Sequence, residues 1–135
     1  MTAAFLGANL RLIRLFHGHS LSELGEQVGV SKQFLSRVEA GGESVTTQLE
    51  VALSEQLQVL PDFFYRPDPD PIADEQCHFR SHLTTKVALR QTARARGEML
   101  KRLVNVLDEY VDLPEYRMLT AETTSHETIE RGAEK

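Results

Sequence analysis

The sequence predicts an all-α protein: a five-helix domain, a linker rich in proline and aspartate, and one long C-terminal helix. Three observations carry that prediction. Apolar residues recur at steps of three and four through the first 60 positions, the spacing of a helix face. Ser and Gly punctuate that stretch as starts and stops of short segments. Residues 85–113 then contain no proline and a single glycine, in a composition that favours helix.

Each element follows from local chemistry. Residues 3–16 read as an amphipathic helix with Phe5, Leu6, Leu10, Ile13 and Phe16 on one side, stopped by Gly18. Ser20 and Glu23 spell a capping box, in which the hydroxyl accepts from the N–H three residues on and the carboxylate returns to the cap's own N–H. The helix it opens places Leu21, Leu24 and Val28 on one face and breaks at Gly29. Ser31 caps a third helix with Leu35 and Val38 inward, stopped by Gly41 and Gly42. The intervening turn is so short that the second and third helices must cross.

A fourth helix covers about residues 46–57 with Leu49, Leu53 and Leu57 four apart, and Pro61 stands at the first position of an expected short fifth helix, PDFFY. The first domain is therefore residues 1–65. The linker, 66–84, begins RPDPDPIADEQ, a stiff and solvated run, and continues as CHFRSHL, extended or irregular. The long helix, 85–113, would reach about 40 Å. Its apolar seam occupies only the second half: Leu100, Leu103, Val104, Leu107, Tyr110 and Val111. Pro114 ends it, and the polar tail 114–135 is expected to be disordered.

Composition narrows the function classes. One cysteine, Cys77, cannot form an internal disulfide and fits a reducing compartment. Arg11 and Arg14 interrupt the N-terminal apolar run, which is unlike a secretory signal, and no apolar stretch approaches the ~20 residues of a membrane span. A cytoplasmic protein without membrane contact is expected. The net charge of −5 is unevenly spread: residues 40–76 hold eight acids against one base, whereas residues 1–39 hold four bases against three acids. Local charge decides phosphate contact, so the total sign weighs little against nucleic-acid binding.

The residues with chemistry to offer lie between positions 20 and 40. Leu24, Val28, Val30, Leu35 and Val38 are placed to brace two crossing helices, with Gly25 where they touch and Gly29 at the turn. The outward face of the third helix is then left with Lys32, Gln33, Ser36 and Arg37. Arg can take guanine bidentately and Gln can take adenine, each worth ~1–3 kcal/mol of discrimination. The helix starts at Ser20, Ser22 and Ser31 offer N–H groups to phosphate. Taken alone, a pair of capped helices with a solvated polar face would fit the same pattern; the capping box and the turn glycine favour the reading head.

The stretch RLIRLFHGHSLSELGEQVGVSKQFLSRVEAGG, continued by the helix ending LQVLPDFF, resembles the Cro/repressor-type (XRE) helix-turn-helix family over residues 7–65. That resemblance implies base-contacting slots at Lys32, Gln33 and Arg37 with Ser36 beside them, and a structural ion pair between Arg14 and Glu39. Four positions depart from the family pattern. His19 and Glu50 stand where apolar residues are usual, Val45 replaces a proline, and Gln58 replaces a glycine. Beyond the linker, HFRS and a long helix ending EYVDLPE are similar to the segment that joins the reading head to the peptidase in ImmA/IrrE-type fused regulators. The peptidase itself would need an HExxH zinc helix, and HETIE at His126–Glu130 lacks the second histidine.

Other groups are weaker candidates. Cys77, His78 and His82 lack a fourth ligand at sensible spacing, so no metal site is expected. His17 and His19 read as helix-end residues. Lys86, Arg90, Arg94 and Lys101 share one face of the long helix, either as a solvated stripe or as a contact for DNA or an acidic partner. The seam Leu100, Leu103, Leu107 and Tyr110 is two heptads long and must pack on something, a second copy or the protein's own bundle.

With the resemblance, these readings point to a non-enzymatic, cofactor-free transcriptional regulator. It would be a repressor that binds a pseudo-palindromic double-stranded DNA operator as a homodimer. The alternatives are the antitoxin of a toxin–antitoxin pair, with a toxin on the C-terminal region, and the regulator half of a metallopeptidase-linked system.

Overall fold

A computed structural model describes residues 4–68, 71–72 and 86–112. The described residues are helical, with no strand among them. They form α1 (Gly7–His17), α2 (Leu21–Val28), α3 (Lys32–Glu39), α4 (Thr47–Leu57), a 3-10 helix (Pro61–Tyr65) and α5 (Val87–Asp108). This is a Cro/repressor-like helical domain with an added C-terminal helix. The expected tail, Cys77, His78, His82 and the HETIE stretch lie outside the described residues.

The core gathers one stripe from each helix: Leu10 and Ile13 from α1, Leu24 from α2, Leu35 and Val38 from α3, and Leu49, Leu53 and Leu57 from α4, closed by Phe64. Leu10, Leu24, Leu35, Leu53, Leu57 and Phe64 are fully enclosed. Each such side chain contributes about 1.5–3 kcal/mol on leaving water. Side-chain caps start three of the helices, with Ser20, Ser31 and Thr46 each accepting from the N–H three residues on.

The helix expected over residues 3–16 starts later, at Gly7, because Leu6 is extended and its N–H donates to the Phe64 carbonyl at 2.8 Å. Phe5 consequently leaves the helix and stacks on Phe64, with ring centroids 5.0 Å apart. The fifth helix is of the 3-10 type, as befits five residues after a proline at its first position. Gln58, where the family has glycine, takes the left-handed conformation at φ +53° to end α4. Glu50 is tolerated at its half-buried site because the Tyr65 hydroxyl donates to it at 2.8 Å.

α5 is shorter than expected, 22 residues or about 33 Å, and packs along α1 through a different stripe from the one the sequence drew attention to. Ala95 is buried against Leu12 and Leu15, with Met99, Phe16 and Phe63 around them. Arg102 holds this contact: its guanidinium donates to Asp68 at 2.8 Å, to the Asn9 side-chain Oδ1 at 3.2 Å and to Glu98 at 3.3 Å. Asn9 in turn donates to the carbonyls of Phe63 and Arg66. Leu100, Leu103, Val104, Leu107 and Tyr110 remain 41–81% exposed on another side of the helix.

Candidate nucleic-acid interface

The candidate site is built from α2, the Gly29 turn and α3. Gly29 sits at φ +74°, where a side chain would be strained, and lets the chain reverse within three residues. The N–H of Val30 then donates to the Gly25 carbonyl at 2.9 Å. Close approach follows: a Cβ added to Gly25 would lie 2.6 Å from the Val30 carbonyl oxygen. No side chain larger than hydrogen fits where the two helices touch.

The two sides of α3 part cleanly. Leu35 and Val38 are buried at 0% and 1% exposure, whereas Lys32, Gln33, Ser36 and Arg37 are all exposed. The spacing of 3.6 residues per turn sets this division, and it leaves four polar side chains projecting together from a rigid back. Arg37 lies 3.2 Å from Glu43 in the loop after α3, with its side chain 62% exposed, so this pair is in solvent and easily exchanged.

Two anchors fix α3 against α1. Arg14 meets Glu39 at both carboxylate oxygens, 2.6 and 2.8 Å, and donates to the His19 carbonyl at 2.8 Å. Through that third bond the backbone of His19 becomes part of the anchor. The other is Gly7, a feature the sequence reading did not single out. A Cβ there would collide with the Val38 carbonyl and come within 2.6 Å of the Glu39 carbonyl oxygen. A glycine inside the helix expected over residues 3–16, where it costs stability unless a close approach needs it, was the available signal.

The helix starts behave less simply than the sequence suggested. The Ser20 N–H donates to Glu23 at 2.7 Å and the Ser20 hydroxyl accepts from the Glu23 N–H at 3.2 Å. That backbone bond, then the hydroxyl, hold the Glu23 carboxyl below its ordinary range. The Ser31 hydroxyl accepts from the Phe34 N–H at 3.1 Å. Both serine hydroxyls are thus engaged in capping, and the first-turn N–H groups of Leu21, Ser22, Lys32 and Gln33 are those left pointing off the helix ends. Ser22 is exposed in that first turn of α2.

Around the flank of α3 runs a cleft of about 450 Å³, lined by Arg11, Arg14, Leu21, Ser36, Ala40 and, from α5, Gln91. Among the described residues no cluster of three or more His, Cys, Asp or Glu could hold a metal, and no helix is long and apolar enough to cross a membrane.

Comparison with protein families matches residues 10–64 to the family described as Helix-turn-helix. The match begins within α1, ends within the 3-10 helix and contains the whole of α2, the turn and α3. Comparison with curated proteins and with solved structures gives no match. The likeness of the C-terminal region to fused-regulator linkers gains no support from these comparisons.

Proposed function

We propose that the XRE-type helix-turn-helix domain of residues 10–64 makes this chain a sequence-specific, double-stranded-DNA-binding regulator of transcription, acting as a repressor. α3 enters the major groove. Lys32, Gln33 and Arg37 address base edges there, with Ser36 beside them. The starts of α2 and α3, at Ser20, Ser22 and Ser31, seat flanking phosphates through their free N–H groups. The observation that carries this reading is the two-sidedness of α3: a buried Leu35–Val38 stripe against an outward face of four exposed polar residues.

One reading head offers few base contacts, and a pair on a pseudo-palindromic operator doubles them. The unpartnered apolar side of α5 favours such a pair. Two copies meeting along Leu100, Leu103, Val104, Leu107 and Tyr110 would cover on the order of 1,000 Å², the scale a specific interface needs. The same exposed side is what favours the antitoxin reading, in which a toxin takes the place of the second copy.

Selection of bound duplexes from a random pool, at a stated salt concentration, tests the reading. Two inverted half-sites about one helical turn apart, 10–10.5 base pairs centre to centre, are expected for the dimer. A single half-site would remove the dimer, and no enrichment at all would remove the function.

A further inference from the structure

We infer that the first half of α5 is a second DNA-contacting surface, in which Lys86 and Arg90 grip the sugar-phosphate backbone beside the groove that α3 occupies. The inference rests on the proposed DNA-binding function and adds to it a contact from outside the matched domain.

The placement comes from how α5 is docked. Arg102 of α5 meets Asn9 near the start of α1, and Thr92 lies 3.9 Å from where a Cβ of Gly18 would stand, at the end of α1. The two helices therefore run antiparallel. Residues 87–91 continue past the end of α1 for about 8 Å. They do so on the side where the chain turns into Ser20 and α2, one of the two helix starts proposed to face phosphate.

The flank is fixed as well. Gln91 shares its cleft with Ser36 and Ala40, which lie on the outward side of α3. Arg94, one turn further on, borders a second cleft with Arg11 of α1. Lys86, Arg90 and Arg94 are four residues apart and so share one side of the helix, and Arg90 is the sequence neighbour of Gln91, which lines the cleft along α3. Leu100, Leu103 and Leu107 of the apolar seam are turned away from Arg90 and Arg94.

Charge completes the argument. Residues 86–97 hold Lys86, Arg90, Arg94 and Arg96 and no acid. Lys86 is exposed and Arg90 half-exposed, and neither pairs with a carboxylate among the described residues. In a chain of net charge −5, whose matched domain supplies few cations, an acid-free basic run next to the reading face is placed for a polyanion.

The test is the salt dependence of affinity for the selected duplex, compared between the wild-type chain and Lys86→Gln/Arg90→Gln. Each neutralised phosphate contributes about 0.9 to the slope of log K against log salt, so the double variant should lower the slope by about two while the selected sequence stays the same. Lys101→Gln, on the same side but ten or more residues further along, should leave the slope unchanged. A double variant with the wild-type slope overturns the inference while leaving the reading head intact, as does an equal loss in Lys101→Gln. A wild-type chain that binds no duplex overturns the inference together with the function it rests on.

Discussion

Arg14 and Glu39 meet through two parallel hydrogen bonds of 2.6 and 2.8 Å, with both side chains 8% exposed. The pair joins the back of α1 to the last residue of α3, and the third bond from Arg14 reaches the His19 carbonyl just before α2. One guanidinium thus sets the position of α3 against both of its neighbours. Removing one partner strands a buried charge, which costs on the order of 3–5 kcal/mol. Arg14→Ala should therefore lower stability by about that amount in urea denaturation, whereas replacing both partners with apolar residues of similar volume should cost much less. An Arg14→Ala chain as stable as wild type would show that the pair does not hold α3.

Two glycines make room for backbone. At Gly25 an added Cβ meets the Val30 carbonyl oxygen, and at Gly7 it meets the carbonyls of Val38 and Glu39. Backbone yields less readily than the end of a side chain, so overpacking here should cost at least the usual ~1–3 kcal/mol. Gly7→Ala and Gly25→Ala should each destabilise by that order, measured by thermal or urea unfolding. A neutral Gly7→Ala would mean that α1 and α3 can separate freely.

The capping box gives a pH signature. The Ser20 N–H, then its hydroxyl, hold the Glu23 carboxyl below the ordinary glutamate range in the folded chain. A group with a depressed folded-state value adds stability above its unfolded value and loses it as the pH falls through the folded one. The Tm difference between wild type and Glu23→Gln should be steady at neutral pH and close as the pH falls into and below the ordinary carboxylate range. A difference that instead widened in acid would place the stabilisation elsewhere.

Arg37 is held near Glu43 by a solvent-exposed pair, which contributes little and must give way for Arg37 to reach a base. Glu43→Gln should therefore tighten binding to duplexes in general, by a few-fold at low salt, because it removes an acid from the DNA-facing side. Weaker binding in that variant would indicate that Glu43 positions Arg37 for contact.

The exposed seam of α5 should control assembly. Leu103→Glu/Leu107→Glu places charge on residues that are 54% and 43% exposed, so the fold should keep its Tm while sedimentation shifts from dimer to monomer. A wild-type chain that sediments as a monomer at tens of micromolar would exclude pairing through this face.

The helix-turn-helix was legible because its constraints are local. The capping serines, the Gly29 turn and the Leu35/Val38 stripe each leave a mark within a few residues, and the helix boundaries follow them closely. What could not be read depends on distant neighbours. The place of Gly7 becomes visible only when α3 crosses α1, and the grip of Arg102 on Asn9 spans 93 positions. The docking stripe of α5 was missed for a related reason. Ala95, Met99 and Arg102 look unremarkable beside Leu100 and Leu107, and only their contacts with Leu12, Leu15 and Asn9 of α1 mark them as the docking stripe.

The central claim is that α3 presents its outward side chains to base edges, and the most direct measurement is the selected binding sequence of Gln33→Ala and Arg37→Ala beside that of the wild-type chain. Each variant should lose preference at one or two adjacent base pairs, at a cost of ~1–3 kcal/mol there, with half-site spacing unchanged. Variants that select the wild-type sequence at full preference would contradict the assignment of α3 as the reading helix.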